Sequence, residues 1–417
     1  GIERELSNNT ALEIRYVGNH AIKLNRAINI NEVNIFENGF LTDFLNAQKN
    51  LTINGGTSFA PGAAGTVALP VFATLFAGLS NASGYTNSTF ISNLLNNNVG
   101  TMANNLAFST TYAANRANLK VNGVAAPNFF VANPNAAFAR LLTNGSFSNY
   151  NSLQVELRRR FSKGIYFQAN YTLSKSMTDG AEGGSQSTLE DYRTLRNISL
   201  DKHRSSLDQQ HRFVANYIYE LPFGSGKRFL ANTWKPVERI IGGWQFGGIV
   251  TLQSGSPISV FSNRTTFNAA NPGLNPAQLN NISFADYSAK LGIQKLPNGV
   301  FFVDPSILTV TNSTTTGLVS SSSLNTGLLT APAPGTFGNF PRAVLTGPSF
   351  KQVDFSLVKK TRITEKVRTD LRVTFLNAFN HANFVFGDQT FDSTSFGRIT
   401  STNGSPRNIF FNLGLSF

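Results

Sequence analysis

Four residues near the middle of the chain, Asp201, His203, Asp208 and His211, are carboxylates and imidazoles close enough in sequence to hold a divalent metal. They show neither an HExxH spacing nor paired histidines at i, i+4 on a helix. The same residue types anchor loops by hydrogen bonds where a loop runs into a strand, and that reading is preferred, with the metal kept as the weaker one. Asp179, Glu182, Glu190 and Asp191 form an acidic loop that could gather Ca²⁺. Without the D-x-[DN]-x-[DN]-G pattern it reads better as a solvated loop. Histidine is scarce and no G-x-S-x-G elbow occurs, which argues against a Ser/His/Asp hydrolase. His381, in FNHANF, reads as a structural contact at a strand end. The absence of cysteine removes disulfides, thiolate nucleophiles and zinc-thiolate sites. No catalytic residue and no cofactor are therefore assigned, and the chain is read as a non-enzyme.

A formal charge of +13 raises the question of nucleic acid. The basic residues are scattered, however. Arg158 to Arg160 is the longest basic run, and it sits in an alternating segment without interleaved stacking aromatics. No nucleic-acid partner is expected. Excess Arg and Lys could instead line a wet lumen or meet lipopolysaccharide phosphates through charge-assisted bonds.

The elements that would position these residues are strands. The segment 407–417, RNIFFNLGLSF, places Ile409, Phe411, Leu413, Leu415 and Phe417 on one side and small or polar residues on the other, with Phe410 the exception. About ten residues tilted near 45° cross a bilayer core. Similar alternation runs through 2–7, 11–18, 150–161, 165–174, 211–221, 243–253, 350–360 and 367–378, giving about nine candidate spanning strands. No window is long and apolar enough for a transmembrane helix, and the mean hydropathy is −0.11. Alternation and composition fit a soluble β protein nearly as well. The connections separate the two: those after 7, 161, 221 and 360 are short or moderate, and those after 18, 174, 253 and 378 are long. Such segregation is the arrangement of an outer-membrane barrel, with the long loops outside the cell.

The fold expected is thus all-β, an antiparallel transmembrane β-barrel, here about nine strands forming the carboxy-terminal part of a larger one. In the extracellular loop 19–149, Phe36, Phe40, Leu41, Phe44 and Leu45 recur at helix spacing, with Asp43 and Lys49 off that face, predicting a small helical subdomain. Further helical pieces are expected at 90–95 and 102–108. The extracellular loop 254–349 is rich in Ser, Thr, Asn, Gly and Pro, includes four serines at 320–323, and is expected to be partly mobile.

Several stretches carry a family likeness. SNYNSLQVELRRRFSKGIYFQANYTLSKS (148–176), DQQHRFVANYIYELPFGSGKRF (208–229), GGWQFGGIVTLQSGSPISV (242–260), TFLNAFNHANF (374–384) and FGRITSTNGSPRNIFFNLGLSF (396–417) together resemble the carboxy-terminal half of Oar-like, TonB-dependent-receptor-type outer-membrane proteins. NIFENGFLTDFLNAQKNL (34–51) resembles a loop helix of that family. The likeness implies a barrel of about 22 strands, filled by an amino-terminal plug and often preceded by a regulatory-like domain. It also implies TonB-dependent uptake of a ligand caught by the outer loops. The plug, the regulatory-like domain and the TonB-contacting segment would all lie outside these 417 residues.

On this reading Ile165, Phe167, Tyr171, Leu173, Phe213, Trp244, Phe355, Val373, Phe411 and Leu413 face lipid, while Tyr217 and Tyr219 join Trp244 as belt aromatics rather than a sugar platform. Glu156, Arg158, Arg160, Gln168, Asn170, Gln245, Arg368, Asp370 and Arg372 face the lumen. Ile409, Phe411, Leu413, Leu415 and Phe417 resemble the insertion signal read by the barrel-insertion machinery. The expected surroundings are bacterial outer-membrane lipid and lipopolysaccharide, with an unknown ligand. Two other readings stay open: a structural or adhesive surface protein on the same barrel, and a secreted soluble β-sandwich lectin.

Overall fold

The computed structural model describes residues 1–180, 192–268, 275–297, 299–304, 328–364, 367–393 and 395–417. Nine long strands form one antiparallel sheet in sequence order. They are β1 (Ile2–Ser7), β2 (Thr10–Asn29), β3 (Arg140–Ser162), β4 (Ile165–Thr178), β5 (His211–Glu220), β6 (Trp244–Gln253), β7 (Phe350–Arg362), β8 (Arg368–Leu376) and β9 (Asn408–Ser416). A short strand, His203–Arg204, pairs with the end of β4. The sheet is open: among the described residues β1 pairs only with β2 and β9 only with β8.

Register turns the alternation into two faces. Leu157 stands opposite Ala169, Tyr171 opposite Phe213, Tyr217 opposite Gly248, Phe246 opposite Leu357, and Val373 opposite Phe411, so one apolar face continues from strand to strand. Glu156 opposite Asn170, Gln168 opposite Asn216, and Arg372 opposite Asn412 continue the other, polar face. The β3–β4 hairpin fixes its register through Lys163 and Gly164, with φ of 52° and 78°. Two positive-φ residues between paired Ser162 and Ile165 make the turn whose twist matches the flanking strands.

The long connections gather at one end of the sheet. β2 and β3 run about ten residues past the expected span, with register shifts between Ala21 and Arg26, so the first excursion covers 30–139 rather than 19–149. It folds into helices α1 (Phe40–Ile53), α2 (Pro70–Leu75), α3 (Ser88–Leu95), α4 (Val99–Phe108) and α5 (Ala113–Ala117) around Phe40, Phe44, Phe59, Phe72 and Phe90. Each fully buried Phe contributes about 1.5–3 kcal/mol. The expected apolar stripe of α1 needs two corrections. Leu45 is exposed, whereas Asp43 is buried and accepts hydrogen bonds from the N–H groups of Val71 and Phe72 at 2.6 and 3.2 Å. A carboxylate serving the orphan donors of a neighbouring helix start belongs on the buried side.

The second excursion, 254–349, joins 377–407 in a separate core around Ile258, Tyr287, Phe301, Phe340 and Phe391. Its four serines at 320–323 lie outside the described residues. At the opposite end the connections are short, except 221–243, which contains α6 (Lys235–Ile241).

Candidate functional site

The two loop units dock on each other. Gly100 N–H donates to Thr265 O at 2.8 Å, Thr265 N–H donates to Asn98 Oδ1 at 3.0 Å, and Arg264 bonds Asn96. Phe267 bridges the units by stacking on Phe337 at 4.3 Å while meeting Phe36 at 4.7 Å. Together they make a continuous head on the long-loop end of the sheet.

Asp201 ties this head to the strands. It closes a short 3₁₀ turn, Ile198–Asp201, and is fully buried. Its carboxylate accepts from Arg193 N at 2.9 Å and Arg193 Nε at 3.0 Å, with Arg26 Nη2 at 3.7 Å and Arg342 Nη1 at 3.6 Å. One carboxylate thus joins β2, the 192–201 segment and the second loop unit. Burial pulls the Arg193 pKa down, against the nearby Asp201 charge, and the neighbouring Arg342 and Arg26 pull the same way. The Arg26 guanidinium also lies 4.1 Å over the Tyr192 ring. Burial, followed by the charge of Asp179, pushes that phenol's pKa up.

The four metal candidates are placed apart in function. Asp201 is committed to guanidiniums. His203 Nδ1 lies 2.5 Å from Asp201 O. Asp208 accepts from Ser176 N at 2.7 Å and Arg204 Nε at 2.8 Å, and His211 Nδ1 meets Tyr171 OH at 2.8 Å. Asp208 thus joins a loop to β4, His211 joins β5 to β4, and His203 bonds locally, and among the described residues no group of three His, Cys, Asp or Glu side chains comes together. In the acidic loop, Asp179 is buried and accepts from Ser146 Oγ and Phe147 N at 2.7 and 2.9 Å. Glu182, Glu190 and Asp191 lie outside the described residues. His381 is held by its own N–H donating to Asn377 Oδ1 at 2.9 Å.

The strand residues singled out from the sequence fall on two faces. Ile165, Phe167, Tyr171, Leu173, Phe213, Trp244, Phe355, Val373, Phe411 and Leu413 share the apolar one, as do Tyr217 and Tyr219. Gln168, Asn170, Glu156, Arg158, Gln245, Arg368, Asp370 and Arg372 share the polar one, and Arg160 continues their alternation. Gln168 Nε2 donates to Glu156 Oε1 at 2.8 Å, and Arg158 pairs with Glu3. At its long-loop end the polar face meets a hollow, shared by Gln253 of β6 and Phe350 of β7 with the loop residues Gln209, Asn383 and Gln389.

Arg26, Arg193, Arg342 and the shared hollow were not visible in the sequence, since their members come from segments far apart along the chain. The only local signal was the polar run DKHR at 201–204.

The family model described as the outer membrane beta barrel domain matches residues 1–409. No curated protein sequence matches significantly. Among solved structures, the P. aeruginosa FpvA chain in complex with a heterologous pyoverdine and iron is similar at 12% identity and a TM-score of 0.27. That alignment covers 68% of this chain and 21% of the FpvA chain.

Proposed function

Since this chain belongs to the outer membrane beta barrel domain family and lies in the bacterial outer membrane, we propose that it is the wall and outer head of a receptor that captures a ligand for uptake. The apolar face meets lipid, the polar face lines the lumen, and the docked loops stand outside the cell. One observation carries the reading: the hollow in which polar-face residues Gln253 and Phe350 meet loop residues Gln209, Asn383 and Gln389. A mouth shared by head and lumen wall suits passage, whereas a surface built only for adhesion has no use for it. TonB coupling is the energy source that the family resemblance implies. The soluble β-sandwich lectin gives way, because the described sheet is a single open wall in a family of outer-membrane barrels.

The test compares cells lacking the protein with complemented cells. Accumulation of labelled ferric siderophores, oligosaccharides and peptides is measured with and without a protonophore. Protein-dependent accumulation that the protonophore abolishes supports the receptor. Unchanged accumulation together with lost attachment to surfaces favours the adhesive alternative.

A further inference from the structure

The hollow at the lumen mouth has a chemistry of its own. It encloses about 210 Å³, below the range that holds drug-sized ligands. Among the described residues no ionisable side chain lines it, although the chain as a whole carries +13. Five carboxamides do: Gln209, Gln253, Asn383, Gln389 and Asn403.

Their hydrogen bonds decide what they offer. Gln389 Oε1 accepts from Ser259 N at 2.7 Å, and Asn383 Oδ1 accepts from Lys351 N at 2.7 Å. Backbone N–H groups thus occupy both carbonyl oxygens, and each amide keeps its NH₂ as a donor. The Oε1 of Gln209 is buried and closed to a ligand, and its Nε2 lies 3.4 Å from Ser256 Oγ. Gln253 makes no side-chain hydrogen bond among the described residues. Neutral carboxamides, which carry both a donor and an acceptor, suit hydroxyl groups, each of which also donates and accepts. A carboxylate or catecholate would find no cation here.

Phe350, Phe384 and Phe386 supply apolar walls. Phe350 borders the hollow from β7, and Phe386 is steadied edge-on against Phe302 at 5.5 Å. The C–H faces of a pyranose are apolar and its rim is polar, which matches aromatic walls with carboxamides around them. The rim is also preformed. Gly347 N–H donates to Ser256 O at 2.9 Å, and a Cβ on Gly255 would sit 2.0 Å from Gly347 O, so this close approach requires glycine.

We propose that this hollow is a subsite for one sugar ring of a neutral oligosaccharide, taken up at the mouth of the lumen. The proposal rests on the receptor reading above and narrows it to a ligand class.

The experiment is calorimetric titration of the detergent-purified full-length protein with glucose-, galactose-, mannose- and xylose-based trisaccharides. A uronic-acid trisaccharide and trialanine serve as comparisons. At least one neutral trisaccharide is expected to bind better than either comparison. Gln253→Ala and Gln389→Leu, each with an unchanged near-UV spectrum, are expected to weaken it roughly tenfold, about 1.4 kcal/mol. Absence of binding by every neutral trisaccharide, stronger binding of trialanine, or undiminished affinity in both variants overturns the proposal. Protein-dependent accumulation of siderophore or peptide in the cell assay, without saccharide binding, removes the subsite and leaves the receptor standing. No protein-dependent accumulation at all removes both.

Discussion

Replacing Asp201 by Asn should unlatch the head from the strands. The carboxylate is fully buried, with Arg193 Nε at 3.0 Å and the guanidiniums of Arg26 and Arg342 at 3.7 and 3.6 Å. Asn keeps one acceptor for the Arg193 N–H and nearly the same volume, so packing and most of the hydrogen bonding survive. The negative charge does not. Removing one partner of a buried ion pair costs about 3–5 kcal/mol, since it strands the opposite charge in a poorly solvating interior. The lower end, about 3 kcal/mol, taken for the Arg193–Asp201 pair, is equivalent to roughly 10²-fold more frequent local opening. Hydrogen exchange in detergent measures this directly, because local opening is resolved separately from global unfolding. Amides in 193–208 and 336–346 should exchange faster while β4 to β6 keep their protection. Glu37→Gln breaks an ion pair with Arg196 whose side chains are 58% and 42% exposed, and should leave the same amides unchanged. If Asp201→Asn alters exchange there by less than about threefold, under 1 kcal/mol, the carboxylate is not what holds head to wall.

Adjacent substitutions in β7 should separate its two faces: Phe355→Arg on the apolar face should cost about 2–4 kcal/mol of folding stability in bilayers, and Ser356→Arg far less. Denaturant titration in lipid vesicles measures both. Asp43→Ala removes the acceptor of the Val71 and Phe72 N–H groups and should destabilise the helical unit by about 1–3 kcal/mol, whereas Asp43→Asn keeps an acceptor and should not. Burial raises the Asp43 pKa from 3.8. The native state therefore binds the proton more tightly than the unfolded chain, and stability attributable to Asp43 should fall as pH rises from the unfolded value through the raised native one. Proteolysis of α1 and α2 measured across that window should show the slope in the native protein and lose it in Asp43→Asn.

What was legible in the sequence was whatever repeats along the chain. Ile165, Phe167, Tyr171 and Leu173 announced a face by period alone, and the register carried that face across the neighbouring strands. The extensions of β2 and β3 are not legible in the sequence because beyond Gly18 the alternation lapses, and a paired ribbon needs no greasy side to persist. Asp43 misleads for a related reason: its polarity points to exposure, yet the groups it serves lie on another helix. The Asp201 cluster was out of reach, since Arg26 and Arg342 meet it only through the fold. His203 and Asp208 were visible as polar residues at a strand start, but their anchoring role depends on partners that no spacing reveals.

The open edges give the last prediction. In lipid an unpaired backbone group costs several kcal/mol, and closed barrels avoid this by leaving no edge. The outer edges of β1 and β9 have no partner among the described residues. Pairing them with each other would not restore the pattern. β1 runs toward the short-turn end, each later strand reverses, and the ninth therefore runs the same way as the first. Direct closure would set two parallel strands side by side, whereas bacterial single-chain barrels alternate throughout and have even strand numbers. The nine strands seen here thus require further strand pairing on both edges in the membrane, whichever segment or chain supplies it. Cysteines scanned along 2–7 against cysteines along 409–415 should give no intramolecular disulfide in outer-membrane preparations. A register-specific ladder of such crosslinks would show that the two edges meet, and the argument from strand direction would fail.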